Sequence, residues 1–154
     1  MTVRIAWEAP DQPKVVALIE ALDRYQGELY PAESNHLLDM ASLLEPNVLF
    51  CVARIDGDPM GCGAAVVYDD YAEIKRMFVN PESRGAGLGW RMLNFVEGEL
   101  VARDVPVARL ETGIYQAEAI RLYARSGYVA IPPFGEYRED PLSLFYEKRL
   151  SDHG

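Results

Sequence analysis

A glycine-rich segment near the middle of the chain limits the possible folds more than any other feature of the sequence. Gly85, Gly87 and Gly89 alternate just after Asn80 and Pro81 and just before a run with helical periodicity. Glycine lets the backbone approach a ligand closely, and the first turn of a helix has unpaired N–H donors and the positive end of the helix dipole. This arrangement favours a phosphate-binding loop at a helix N-terminus. The alternative is a tight turn that serves packing alone.

The hydrophobic pattern on either side of this loop predicts a mixed α/β fold. Strands are predicted over residues 3–8, 48–55, 60–68, 71–79, 107–112, 128–131 and 144–150. Helices are predicted over residues 12–26 (with Asp11 as the cap), 33–44, 88–103 and 117–126. Short turns between the second, third and fourth strands indicate an antiparallel meander, and the strand–helix–strand order that follows indicates a parallel crossover. We therefore expect one domain over residues 1–154, a mixed sheet of about seven strands with about four helices.

Two familiar phosphate-binding loops fit the glycine spacing poorly. A dinucleotide-binding loop requires Gly-x-Gly-x-x-Gly after the first strand, whereas these glycines occupy every second position and follow a meander. A P-loop requires Gly-Lys-Ser/Thr, which is absent. No carboxylate is expected in the first helical turn, and a cluster of positive charge is predicted around the loop from four nearby basic residues: Lys75, Arg76, Arg84 and Arg91.

The residues around the glycines resemble the signature of the GNAT superfamily of N-acetyltransferases. That signature is Arg/Gln-x-x-Gly-x-Gly/Ala after a strand that ends in apolar-x-Val-x-Pro. The chain has Met-Phe-Val-Asn-Pro over residues 77–81 and Arg-Gly-Ala-Gly-Leu-Gly over residues 84–89. A second family motif, Asn-x-x-Ala-x-x-Leu-Tyr-x-x-x-Gly-Phe, is similar to residues 116–128, with Gln116 in place of Asn and Tyr128 in place of Phe.

This resemblance implies the GNAT fold, with splayed parallel strands at the cofactor site, and acetyl-coenzyme A as cosubstrate. Backbone N–H groups of residues 84–89 would hold the pyrophosphate, and one near Phe78 and Val79 would point at the thioester carbonyl, where it stabilises the developing oxyanion. The cofactor-binding residues implied by the resemblance are Met77, Phe78, Val79, Arg84, Gly85, Ala86, Gly87, Leu88, Gly89, Gln116, Ala119 and Tyr123.

Two residues are candidates for acid–base catalysis. Tyr123 occupies the tyrosine position of the family, where its phenol would donate a proton to the departing sulfur; a core tyrosine is the alternative. Glu73 is the candidate base, because strand alternation predicts that it shares a face with Lys75, Met77 and Val79. An exposed carboxylate paired with Lys75 or Arg76 is the alternative for Glu73. The other candidate bases are Glu111, water and His36.

The acceptor pocket is expected between two segments that form its walls in the family. The first wall offers Tyr30, Glu33 and Ser34, and the second offers Phe134, Tyr137 and Arg138. Acidic groups, with Glu111 among the candidates, suit an amine, and an arginine suits a substrate carboxylate. An amino-acid-like acceptor would use both.

Composition excludes several other classes of protein. The formal net charge of −9 disfavours nucleic acid and anionic membranes as partners, since both attract basic surfaces. The chain shows neither a signal peptide nor a run of the ~20 apolar residues that would span a membrane, so a cytoplasmic protein is expected. Cys51 and Cys62 lie in apolar runs and indicate buried thiols, and His36 and His153 belong to no metal-binding pattern. No metal is expected.

The function expected from these features is acetyl-coenzyme A-dependent N-acetylation of a small-molecule amine, by direct transfer within a ternary complex. The alternative is a regulatory module that binds acetyl-coenzyme A without turnover. The resemblance also implies a possible homodimer. The identity of the acceptor, and the choice between N- and O-acetylation, stay open at this point.

Overall fold

The centre of the fold is a sheet with strands in the order β1-β2-β3-β4-β5-β7-β6. The computed structural model describes residues 1–31, 39–83, 85 and 87–150. Within these residues the seven strands are β1 Val3–Trp7, β2 Val48–Ile55, β3 Asp58–Val67, β4 Ala72–Val79, β5 Val107–Gly113, β6 Val129–Ile131 and β7 Ser143–Arg149. Strands β1 to β4 form an antiparallel meander, β4 and β5 pair in parallel, and β7 pairs antiparallel with β5 and β6. The mixed sheet predicted from the sequence is confirmed.

Helices cover both faces of this sheet. In the described part of the chain they are α1 Pro13–Leu29, α2 Met40–Leu43, α3 Leu88–Ala102 and α4 Ala117–Arg125, with a short 3-10 turn over Pro81–Ser83. Apart from α1 and α2, every element begins and ends within two residues of its predicted bounds. The first six residues predicted for the second helix, 33–38, lie outside the described residues. None of the described helices is long and apolar enough to cross a bilayer.

The start of α1 differs from the sequence prediction. Gln12, not Asp11, is the N-cap residue, and it makes no capping hydrogen bond through its side chain. The helix begins with Pro13, which suits this position because its missing N–H would have no intrahelical partner there. The Val16 N–H closes the first turn on the Gln12 carbonyl at 2.7 Å. The predicted capping by Asp11 is therefore wrong.

The end of α1 lies three residues beyond the predicted end at Gln26. Gly27 lowers helix propensity by about 1 kcal/mol without forbidding a helix. Tyr30, directly after the helix, is buried, and its N–H closes the last turn on the Gln26 carbonyl at 3.0 Å. The packing of Tyr30 thus stabilises the helix beyond Gly27.

Two hydrophobic layers fill the space between helices and sheet. One face of the sheet, with Ile74 and Leu110, packs against the buried side of α3: Leu88, Met92, Leu93, Val96 and Leu100. The opposite face, with Phe50 and Phe78, packs against the buried side of α1: Val15, Leu18, Ile19 and Leu22. Cys51 and Cys62 are free and buried, and burial raises the pKa of each thiol to about 12.

A β-bulge interrupts β4. Lys75 pairs with Ala64 and Phe78 pairs with Cys62, so two residues of β4 stand opposite one residue of β3. Arg76 lies in this bulge with a left-handed backbone, φ 57°. Such a conformation is rare for a residue with a side chain and is kept where surrounding contacts enforce it.

The bulge changes which side chains share a face. Glu73 and Lys75 lie on the α1 side of the sheet with Phe78, whereas Met77 and Val79 pack in the α3 layer. The prediction that Glu73, Lys75, Met77 and Val79 share one face is therefore wrong. Simple alternation fails here because an inserted residue shifts the period by one position.

Candidate active site

The first candidate site is a groove between the end of β4, the start of α3 and the length of α4, which we name the cofactor groove. It encloses about 950 Å³. The structure brings together in its wall every sequence-predicted cofactor residue that it describes: Met77, Phe78, Val79, Gly85, Gly87, Leu88, Gly89, Gln116, Ala119 and Tyr123. Arg84 and Ala86, the other two, lie outside the described residues.

The groove opens because β4 and β5 separate. The two strands pair only from Ala72 to Ile74, opposite Ala108 to Leu110. Beyond this point β4 continues into its bulge, while β5 stays paired with β7 as far as Gly113. The splayed parallel pair implied by the resemblance is thus present.

The floor of the groove is the first turn of α3. Gly87 is its N-cap residue with φ +71°, and Gly85 has φ +96°, both in the left-handed region that favours glycine. A Cβ added at either glycine would meet no atom within 4 Å, so the backbone faces open space. The first turn holds no acidic side chain, and its N–H groups lack intrahelical acceptors. These features fit a pyrophosphate at the positive end of the helix dipole.

The third glycine has a different role. A Cβ at Gly89 would lie 3.2 Å from Leu122 Cδ2, so a small residue here lets α3 approach α4. Two of the four basic residues predicted to cluster at the loop, Lys75 and Arg76, have partners elsewhere, and Arg84 lies outside the described residues. Lys75 instead faces the acceptor side, and Arg76 forms an ion pair with Asp23 of α1. Neither side chain lines the groove.

Tyr123, on α4, lines the groove and is 6% exposed. Burial, and next the negative charge of Glu111, raise the pKa of its phenol well above the ordinary value. The hydroxyl therefore stays protonated at neutral pH. No described residue forms a hydrogen bond with it. A buried donor without a protein partner, exposed to the groove, suits the role of a proton donor to a ligand.

The second candidate site is a cleft on the α1 side of the sheet, which we name the acceptor cleft. It encloses about 730 Å³. Its wall combines the turn before β4, the first half of β4 and the loop between β6 and β7: Tyr68, Tyr71, Glu73, Lys75 and residues 135–140. The two sites lie on consecutive parts of β4: Glu73 and Lys75 line the acceptor cleft, and Met77 to Val79 line the cofactor groove.

A hydrogen-bonded network occupies the floor of the acceptor cleft. The Tyr137 hydroxyl donates to Glu73 Oε2 at 2.5 Å and accepts from Lys75 Nζ at 2.8 Å. Lys75 Nζ also lies 3.4 Å from the same carboxylate oxygen. Glu73 is 6% exposed, so it is a buried carboxylate whose charge is balanced within the network. The alternative left open by the sequence, an exposed carboxylate paired with Lys75 or Arg76, is half right: Glu73 pairs with Lys75 but is buried.

Glu111, the rival base, lies on β5, two residues beyond the strand partner of Glu73. Its Oε2 accepts a hydrogen bond from Ser143 Oγ at 2.8 Å. Its charge raises the pKa of both Tyr123 and Tyr137. Glu111 lines neither the cofactor groove nor the acceptor cleft.

Two residues predicted to contact the acceptor are packed into the protein. Tyr30 accepts a hydrogen bond from the Tyr115 N–H at 3.1 Å and covers Gly113, where a Cβ would lie 1.8 Å from its hydroxyl oxygen. Phe134 is 8% exposed and packs edge-on against Tyr137 at 5.2 Å between ring centroids. Both support the walls rather than line the cleft. Arg138 does line it, and Glu33, Ser34 and His36 lie outside the described residues.

Several wall residues are absent from the sequence prediction. The acceptor cleft adds Tyr68 and Tyr71, which sit at the turn before β4. The cofactor groove adds two residues of α1, one of α3, one of the turn before α4 and two of α4: Leu22, Tyr25, Trp90, Tyr115, Arg121 and Arg125. The two arginines could be inferred from the helical period, because Arg121 and Arg125 are four residues apart and lie on the same face of α4. The others depend on tertiary packing.

Comparison with known proteins gives consistent matches. The model of the acetyltransferase (GNAT) family matches residues 15–128. A protein named IAA acetyltransferase, from Azospirillum brasilense, is 52% identical over 150 residues, which are 96% of this chain and 98% of the relative. A crystal structure of a Klebsiella pneumoniae protein named for acyl-CoA N-acyltransferase activity has a TM-score of 0.86 and 38% identity, covering 97% of this chain and 99% of that one.

The same fold is found with a bound cofactor in a more distant protein. The PaiA N-acetyltransferase from Thermoplasma acidophilum, crystallised in complex with coenzyme A, has a TM-score of 0.75 over 97% of this chain and 99% of that one. At 16% identity this match shows the fold alone. Acetyl-coenzyme A, implied by the sequence resemblance, is the cosubstrate of the family.

Proposed function

Since the chain belongs to the acetyltransferase (GNAT) family, we propose that it transfers the acetyl group of acetyl-coenzyme A directly to the amine of a small molecule, as one acetyltransferase domain. The observation that carries this proposal is the placement of two sites on one strand. A groove suited to a pyrophosphate and a cleft with a buried carboxylate are lined by consecutive parts of β4. Two substrates bound there would meet at the bulge.

The backbone at the start of α3 would hold the pyrophosphate of the cosubstrate, and the arm would lie in the gap between β4 and β5. When bound, acetyl-coenzyme A supplies the acetyl group as a thioester. A backbone N–H near Phe78 or Val79 would donate to the carbonyl oxygen as negative charge develops on it.

The acceptor amine is charged at neutral pH, since an alkyl ammonium has a pKa of ~10.4. Glu73 takes one proton from it, and the neutral nitrogen attacks the carbonyl carbon. A C–N bond forms and the C–S bond breaks, while Tyr123 donates a proton to the departing sulfur. The second proton leaves the nitrogen as the amide forms and balances the proton that Tyr123 recovers from solvent. The products are an acetylated amine and free coenzyme A.

The acceptor is proposed to carry a carboxylate as well as an amine, in the manner of an amino acid. Arg138 lines the cleft and offers a planar donor pair for a carboxylate. The aromatic rings of Tyr68 and Tyr71 offer flat apolar surface beside it. The printed name of the Azospirillum brasilense relative makes IAA one compound to include among the acceptors tested.

The test is a panel of acceptors assayed for release of free coenzyme A thiol, with mass spectrometry of the products. The panel holds amines, amino acids, hydroxyl compounds and IAA, and the control is the enzyme with acetyl-coenzyme A alone. We expect acetylated amines, with the added mass on nitrogen. Tight binding of acetyl-coenzyme A without turnover of any acceptor would contradict the proposal and favour a regulatory module.

A further inference from the structure

The side chain of Tyr137 is placed between two charged groups of the acceptor cleft. Its hydroxyl oxygen accepts from the Lys75 ammonium, and its hydroxyl hydrogen is directed to Glu73 Oε2. This direction is fixed by chemistry, because an ammonium has only donors and an ionised carboxylate has only acceptors. Tyr137 lines the acceptor cleft, as expected for an acceptor contact, and its hydroxyl also links these two charged groups.

We propose that Tyr137 is a positioning residue, which holds the carboxylate of Glu73 in the orientation and ionised form needed to take a proton from the acceptor amine. This inference rests on the proposed role of Glu73 as base.

The two oxygens of Glu73 have different surroundings. Oε2 receives the Tyr137 hydroxyl and lies near the Lys75 ammonium, whereas Oε1 has no hydrogen-bond partner among the described residues. A carboxylate anchored through one oxygen presents the other in a defined direction. Oε1 is thus the oxygen available to the amine.

The Tyr137 ring is held as firmly as its hydroxyl. It packs against Phe134 at 5.2 Å and against Phe145 at 5.4 Å between centroids. Burial, and next the charge of Glu73, raise the pKa of the phenol far above its usual value, so it remains a hydrogen-bond donor at every pH at which the enzyme would work. A phenol fixed in this way is a permanent donor to the carboxylate and not a proton acceptor.

Glu73 faces charged and titratable groups from each element packed around it. Lys75 follows it on β4, Arg109 is its partner on β5, and Tyr137 reaches it from the loop. At the turn before β4, burial and next the charge of Glu73 raise the pKa of Tyr68 and of Tyr71. Glu111 acts on the network through Tyr137. Of these groups, Tyr137 is the one that donates a short hydrogen bond to the carboxylate.

The protein contains a second network of the same composition, which provides a matched control. The Tyr128 hydroxyl donates to Glu97 Oε2 at 2.9 Å, and Lys148 Nζ donates to Glu97 Oε1 at 2.7 Å. This network joins α3 to β7 and lines neither the groove nor the cleft. Tyr128→Phe therefore removes a phenol-to-glutamate hydrogen bond of the same kind from a different place.

The first test does not depend on activity. Carbon-13 NMR of labelled glutamate follows the titration of Glu73, with its resonance assigned by its absence in Glu73→Gln. Removing a donor from an ionised carboxylate disfavours the ionised form, so Tyr137→Phe should move this titration to higher pH. Tyr128→Phe should leave it in place. A Glu73 titration that is the same in Tyr137→Phe and wild type would overturn the inference.

The second test is the pH dependence of kcat/KM for the best acceptor. Loss of a hydrogen bond to a charged group corresponds to roughly a tenfold effect, so Tyr137→Phe should lose about tenfold on the acidic side of the profile and recover as pH rises. In a Glu73→Gln background, the same change should have no further effect on the profile. A role in packing alone predicts a higher KM with an unshifted profile, and that result would contradict the inference.

The two proposals fail in different ways. If Glu73→Gln turns over like wild type, the assignment of Glu73 as base is wrong, and the positioning role falls with it. If Glu73→Gln is slow but Tyr137→Phe keeps the wild-type profile, only the inference on Tyr137 is wrong.

Discussion

The cofactor groove and the acceptor cleft share strand β4, but they differ in the groups that form them. The groove is formed by backbone at the start of α3 and by side chains of α4, all within residues 77–125 except for two residues of α1. The cleft is formed by side chains that meet from distant parts of the chain, with Tyr137 and Glu73 separated by 64 positions. A ligand held by backbone N–H groups needs only a local conformation, whereas a ligand held by side chains needs the whole fold.

The largest expected effect is on the groove. Gly87→Glu places a carboxylate in the phosphate cradle, where like charges ~4 Å apart cost ~4 kcal/mol at an effective dielectric constant of about 20. Binding of acetyl-coenzyme A should weaken at least about 100-fold, measured by calorimetry. Gly98→Glu is the matched control, since Gly98 lies on the same helix, is exposed and has open space at its Cβ position.

The strain of a left-handed position must be separated from the charge. Gly87→Ala introduces the backbone strain of a side chain at φ +71° but adds no charge. It should therefore weaken acetyl-coenzyme A binding far less than Gly87→Glu. Equal affinity for acetyl-coenzyme A in Gly87→Glu and wild type would move the phosphate site away from α3.

The second prediction concerns Tyr123 in the cofactor groove. Tyr123→Phe removes one hydroxyl and should lower kcat by about 10²–10⁴-fold, the usual contribution of a positioned acid. The affinity for acetyl-coenzyme A should change little. Because burial raises the pKa of Tyr123, its donor form persists above pH 10, and the loss should be the same across neutral pH. Tyr146→Phe, on β7 outside both sites, serves as control. Turnover within about twofold of wild type would leave Tyr123 with a packing role.

The contrast between the two sites also explains what the sequence could predict. The family, the mixed sheet and nearly all element bounds followed from periodicity and from the glycine motif, because local backbone conformation specifies them. The face of Glu73 relative to Met77 did not, since the bulge at Arg76 leaves no mark in the pattern of apolar residues. The burial of Tyr30 over Gly113 likewise depends on contacts between α1 and β5.

The sequence identified the residues of the network in the acceptor cleft, but not their contacts with one another. Glu73, Tyr137 and Lys75 were each singled out, but with separate roles as base, acceptor contact and phosphate charge. Their mutual contacts required the β6–β7 loop to fold over β4, and no local pattern encodes that. Phosphate recognition was therefore easier to anticipate than acceptor recognition.

The third prediction tests the base in the cleft. Glu73→Gln keeps the shape but cannot take a proton, so kcat near pH 7 should fall by about 10²-fold. Activity should recover as pH rises toward the amine pKa of ~10.4, because more acceptor is then already neutral. Glu111→Gln, assayed beside it, should keep the wild-type profile. The reverse pattern would transfer the role of base to Glu111.

The smallest effect is expected at the rim of the cleft, and it bears on the acceptor class. Arg138 is exposed, and an exposed charge pair contributes at most about 1 kcal/mol. Arg138→Gln should therefore raise KM for an amino acid by up to about fivefold with kcat unchanged, as expected for lost uniform binding. The same variant should not change KM for the matching amine without a carboxylate. Arg149→Gln, an exposed arginine at the end of β7, controls for the change in net charge. If both acceptors respond alike to Arg138→Gln, the arginine acts through the general field of an acidic protein and does not contact a carboxylate, and the proposal of an amino-acid-like acceptor loses its main support.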